Sequence, residues 1–60
     1  MKIKKLGEYK GARIYGVYYE EEKNGITFTS IFPVKYKVVK DEEIKEFEND
    51  FELKKFLNNL

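Results

Sequence analysis

Asn24-Gly25 constrains this chain more than any other pair of residues in it. Both residues tolerate positive φ, so the pair predicts a two-residue type I′ turn joining two antiparallel strands. The flanks agree. Ala12 to Glu22 is rich in Tyr, Ile and Val, and Ile26 to Phe32 reads Ile-Thr-Phe-Thr-Ser-Ile-Phe. A two-residue turn also sets the register: Lys23 opposite Ile26, Glu21 opposite Phe28, Tyr19 opposite Ser30 and Val17 opposite Phe32. These residues share one face with Tyr15. The other face carries Ile14, Gly16, Tyr18, Glu20 and Glu22 against Ile31, Thr29 and Thr27, with Tyr18 opposite Ile31.

Pro33 lacks an N–H and interrupts the second strand, which predicts a bulge or an edge position there. Val34, Tyr36 and Val38 then alternate with Lys35 and Lys37, the pattern of a strand with one apolar and one basic face. Upstream, Lys2 to Tyr9 reads as a first strand, with Gly7 and Gly11 marking its irregular end and the turn that follows. In the tail, Ile44, Phe47 and Phe51 fall on one side of a helical wheel. Leu53, Phe56, Leu57 and Leu60 fall nearly opposite. One straight helix cannot bury both stripes against a sheet, so a break near Asn49-Asp50 is expected. Asn49 followed by Glu52 fits a capping box. A short helix is therefore placed at 50–59, with Leu53, Phe56, Leu57 and Leu60 as its inner stripe. Residues 41–48 remain open between a short helix and an edge strand. The expected fold class is α+β: a three- or four-stranded antiparallel sheet with one C-terminal helix on one face, in a single small domain over 1–60.

Composition narrows the function classes. Sixty residues leave no room for a nucleotide-binding βαβ fold or a multidomain enzyme. There is no Cys and no His, so disulfides and the usual nitrogen and sulfur metal ligands are absent. Ser30 is the only serine and has only carboxylates and lysines as bases, so it reads as a strand residue rather than a nucleophile. Glu20-Glu21-Glu22 and Asp41-Glu42-Glu43 lack calcium-loop spacing with its central Gly, and no metal site is expected. The four glycines are dispersed and form no phosphate-cradling loop. We expect no enzyme and no cofactor. No apolar run approaches ~20 residues and no signal-peptide pattern opens the chain, so a cytoplasmic protein without membrane contact is expected.

Two segments carry a resemblance. Tyr9-Lys10-Gly11-Ala12-Arg13-Ile14 resembles the Tyr-x-Gly-x-x-Ile opening of small phage and uncharacterised prokaryotic β-sheet-plus-helix domains. Phe47-Glu48-Asn49-Asp50-Phe51-Glu52-Leu53-Lys54-Lys55-Phe56-Leu57-Asn58 is similar to their Phe-x-Ser-Leu-Glu-Glu-Ala-Lys-Lys-Phe-Ile-Asp ending. Asn49 stands in place of the capping Ser, and Leu53 in place of a small Ala. The resemblance implies three or four antiparallel strands, with a strand ending at Phe47 and a capped helix after it. It also implies an accessory or inhibitory protein of a phage or other mobile element.

The remaining classes are two kinds of binding. One helix covers one face of a sheet. The face with Tyr15, Val17, Tyr19, Ile26, Phe28 and Phe32 is the more apolar and is expected beneath it. The opposite face then exposes Ile14, Tyr18 and Ile31 beside Thr29, an apolar spot centred on a tyrosine and suited to a protein partner or self-association by occlusion. Strand addition at a sheet edge is a second contact mode. The alternative is a nucleic-acid surface built from Lys2, Lys4, Lys5, Arg13, Lys35 and Lys37, with tyrosines as stacking platforms. The charge runs are blocked: a basic front, Glu20 to Glu22, a basic middle and an acidic tail, summing to +1. Such balance limits the phosphate contacts that drive nucleic-acid affinity.

Overall fold

A computed structural model describes all 60 residues. Three two-residue turns organise it, and each holds both of its residues at positive φ. They are Lys10-Gly11 (48° and 81°), Asn24-Gly25 (54° and 77°) and Asp41-Glu42 (51° and 65°). That geometry matches the right-handed twist of the strands it joins. The strands are β1 (Lys2–Tyr9), β2 (Ala12–Tyr18), β3 (Glu20–Lys23), β4 (Ile26–Thr29), β5 (Lys35–Lys40) and β6 (Glu43–Phe47). One helix, α1 (Asp50–Asn58), closes the chain.

The strands form two sheets rather than the single one expected. β1-β2-β5-β6 make a four-stranded antiparallel sheet, and β3-β4 make a separate two-stranded ribbon. The ribbon follows the expected register, Lys23 opposite Ile26 and Glu21 opposite Phe28. Tyr19 and Ser30 still meet: the Ser30 N–H donates to the Tyr19 carbonyl at 2.9 Å, and the Ser30 Oγ accepts from the Tyr19 N–H at 3.0 Å. Beyond that pair the register slips. Val17 sits opposite Lys35, not Phe32, and its carbonyl accepts from the Val34 N–H at 2.8 Å. Residues 31–33 form an excursion where Pro33 has no N–H to continue a ladder. The ribbon is thereby released from the sheet and stands out as an arm, along a molecule measuring 44 × 21 × 15 Å.

β1 carries a bulge between Lys5 and Gly7. Residues 43–47 are an edge strand, which resolves the open segment. Asn49 caps α1, its Oδ1 accepting from the Glu52 N–H at 2.9 Å. The inner stripe is the expected one. Leu53 joins Ala12 and Val38 in the core, with Ile14, Tyr36, Phe47, Phe56, Leu57 and Leu60 packed around them. The small Ala12 leaves room for the bulk of Leu53.

The covered face is the reverse of the expected one. α1 packs on the face of Ala12, Ile14, Tyr36 and Val38, whereas Arg13, Tyr15, Val17, Lys35, Lys37 and Val39 share the other. The physical reason lies in β5. Its apolar Tyr36 and Val38 pair with Gly16 and Ile14, while its lysines pair with Val17 and Tyr15. The helix settles where the paired residues Ile14, Gly16, Tyr36 and Val38 are all uncharged, Lys40 joining that face only at the end of β5. Tyr19, Ile26, Phe28 and Phe32, which weighted the expectation, lie outside the four-stranded sheet altogether.

The Asp41-Glu42 turn is the least favourable of the three, because both positions carry a side chain at positive φ and the second is not Gly. Replacing it with Asn-Gly (Asp41→Asn, Glu42→Gly) is expected to stabilise the fold by about 1 kcal/mol, raising Tm by about 4–8 °C in a thermal melt.

Candidate functional site

The arm is exposed along its whole length. Strand alternation divides it into two faces. Glu20, Glu22, Thr27 and Thr29 form a polar one, whereas Tyr19, Ile26 and Phe28 share the other with Glu21 and Lys23. Tyr19, Ile26 and Phe28 are 48, 57 and 55% exposed, and at the arm's base Ile31 and Phe32 reach 87 and 77%. Neither outer edge of the ribbon is paired. A two-stranded ribbon is marginal in water, and free edges invite pairing with another chain. The three glutamates alternate between the faces and form no ion pair.

The apolar spot expected from the sequence is only partly assembled. Tyr18, Thr29 and Ile31 do come together, with Ser30, Lys2 and Lys4, around a shallow hollow of about 200 Å³ at the base of the arm. Ile14 does not join them. It packs beneath α1 against the core, on the face the helix covers. Tyr18 sits opposite Lys2 rather than Ile31. Tyr19, Ile26, Phe28 and Phe32, expected beneath the helix, are exposed instead. Their alternation was legible, but it also fits a buried face, and only the slip at residues 31–33 removes them from the core.

The basic residues divide as well. Lys5, Tyr15, Lys37 and Glu46 form one cross-strand row on the face away from the helix. Arg13 and Lys35 share that face, with Ile3 and Ile44 as apolar members near its edges. Lys2 and Lys4 belong instead to the hollow. Acids temper the cations of the open face. Glu46 lies 3.4 Å from Lys37 and 3.8 Å from Lys35, and the Lys5 ammonium donates to Glu8 at 2.7 Å. That hydrogen bond, with the charges of Lys5 and then Arg13, holds the Glu8 carboxyl below its usual range. Glu8 therefore stays ionised to a lower pH than an unpaired glutamate does. Arg13 alone among the four cations has no carboxylate partner.

A second hollow, of about 250 Å³, lies between β5, β6 and the end of α1. It is lined by Val38, Lys40, Asp41, Glu43, Lys45, Phe56 and Leu60, with charges of both signs. No helix is long and apolar enough to cross a membrane.

Comparison with protein-family models, curated proteins and solved structures finds no match for this chain.

Proposed function

We propose that this chain is a non-catalytic protein-binding module that docks through its arm. The observation carrying this reading is the run of exposed apolar side chains along the arm: Tyr19, Ile26 and Phe28, continued at the base by Ile31 and Phe32. Aromatic side chains have few rotatable bonds, so they lose little entropy on docking and are common anchors of interfaces. The mode of action is occlusion, in which the arm lies across a partner surface while its glutamates set orientation and association rate. The resemblance to small phage domains agrees with an accessory or inhibitory role.

A photo-crosslinking residue, p-benzoylphenylalanine, tests this. Placed at Phe28 in cells expressing the full chain, it is expected to give a discrete protein adduct that Ile26→Ser removes. Placed at Phe51, which is 70% exposed on α1, it is expected to give none. Absence of any adduct at Phe28 would overturn the reading.

The nucleic-acid alternative rests on Tyr15 standing between Lys5 and Lys37 in one row, with Arg13 and Lys35 on the same face. Four cations there meet two carboxylates, Glu8 and Glu46, so few phosphates can be neutralised. Labelled single-stranded DNA is therefore expected to show at most weak anisotropy changes at low salt, lost at about 200 mM. Saturable binding that survives that salt would promote the open face to a nucleic-acid site.

A further inference from the structure

We propose that the arm's partner is a second copy of this chain, in a two-fold dimer where each arm lies across the open sheet face of the other copy. This rests on the protein-binding reading and names the occupant. Three observations carry it.

The first is surface. The chain exposes 4795 Å², whereas a compact monomer of 7.2 kDa exposes about 4100 Å². The excess of roughly 700 Å² approaches the ~800 Å² that each partner contributes to a standard interface. The radius of gyration agrees, at 13.1 Å against about 10 Å for a compact chain of this length.

The second is charge. Glu20, Glu21 and Glu22 lie on the arm with no ion-pair partner, Glu21 beside Lys23 on its apolar face and the other two on its polar face, so the arm is net acidic; the open sheet face carries Lys5, Arg13, Lys35 and Lys37 against Glu8 and Glu46 and stays net basic. Each surface also has apolar groups at hand, Tyr19, Ile26 and Phe28 on the arm and Ile3, Tyr15, Val39 and Ile44 on the sheet. An arm that stands out from the strands carrying that face meets it on another copy.

The third is length. Five extended residues, Tyr19 to Lys23, span roughly 17 Å, and the outermost axes of four strands lie roughly 14 Å apart. The arm therefore crosses the whole open face. An interface in which the same two patches are exchanged both ways closes on itself and leaves no arm free.

The test is a charge exchange. Sedimentation of the full wild-type chain from about 10 µM to about 1 mM should show a monomer giving way to twice 7.2 kDa. An arm variant carries Glu20→Lys, Glu21→Lys and Glu22→Lys. A sheet variant carries Lys5→Glu, Arg13→Glu and Lys37→Glu. Each alone should dimerise at least about 30-fold more weakly, because like charges face each other. Mixed together they should form a heterodimer, since the basic arm then meets the acidic sheet and the acidic arm meets the basic one. Circular dichroism checks that both variants fold.

Should either fail to fold, carbodiimide coupling of a mixture of 15N-labelled and unlabelled wild-type chain decides. Mixed-isotope cross-links should join Glu20–Glu22 of one copy to Lys5, Lys35 or Lys37 of the other. A chain that stays monomeric over that range while Phe28 cross-links to a different protein overturns the dimer and leaves the protein-binding reading standing. A monomer with no Phe28 adduct overturns both. A dimer whose variants are indifferent, or whose cross-links join arm to arm, assigns self-association to another surface and overturns the inference.

Discussion

Leu53→Ala is expected to leave much of this chain unfolded at 37 °C. Only Ala12, Val17, Val38 and Leu53 among its apolar residues are buried, and Leu53 is the one that α1 supplies. Truncating a buried Leu costs about 2–5 kcal/mol, through lost transfer energy and the cavity left behind. Sixty residues support a total stability of roughly 3–9 kcal/mol. A single side chain thus accounts for a large fraction of the margin. The midpoint of thermal unfolding should fall by at least about 10 °C at fixed protein concentration. Phe51→Ala, two positions earlier and exposed, should move it by no more than about 2–4 °C, since exposed sites usually stay within ±0.5 kcal/mol. Equal effects from the two substitutions would mean that α1 does not dock through the stripe containing Leu53.

Gly16→Val is the second large effect, and its direction opposes strand propensity. Valine is favoured over glycine in a central strand. Gly16 nevertheless sits where an added Cβ would come within 3.0 Å of the Pro33 Cγ and 3.1 Å of both the Leu6 Cδ1 and the Tyr18 Cε1. Leu6 and Tyr18 can swing aside by a few tenths of an ångström, and a change of ring pucker moves the Pro33 Cγ as far, so Gly16→Ala should be tolerated at small cost. The two further methyl groups of valine cannot be absorbed against the stiff Pro33 ring, and overpacking of this kind costs about 1–3 kcal/mol. Because Pro33 lies at the foot of the arm, the same substitution should disturb the hollow around Tyr18, Thr29 and Ile31. In two-dimensional NMR spectra their amide shifts should move more in Gly16→Val than in Gly16→Ala. A valine variant that melts above the wild type would show that the approach of Pro33 to β2 is not a tight one.

Local signals were legible wherever chemistry within a few residues decides the outcome. Asn24-Gly25 specified its turn and the arm's register, because two residues at positive φ leave one pairing. Asn49 and Glu52 marked the start of α1, because an N-terminal N–H needs an acceptor close by in sequence. The stripe of Leu53, Phe56, Leu57 and Leu60 followed from helical periodicity. The turn at Asp41-Glu42 was not legible, since Asp tolerates positive φ but Glu does not favour it and no Gly follows. The candidate site was less readable. Tyr18, Thr29 and Ile31 were brought together as expected, but Ile14 belongs to the core, and the arm's apolar side chains looked like core residues.

By itself, then, the sequence determined the first strand, the hairpin at residues 24–25, the alternating strand after Pro33, the helix with its cap and the helix's inner stripe. All of these arise from the period of the side chains or from hydrogen bonds between near neighbours. Only the tertiary structure decided which sheet face the helix covers, because that choice compares β2 with β5, strands separated along the chain by the whole arm. It also decided that the hairpin leaves the sheet, since the register slip at residues 31–33 depends on Val34 finding the Val17 carbonyl. The same alternating apolar residues can line a core or an exposed arm. Which one they line is set by what they are packed against.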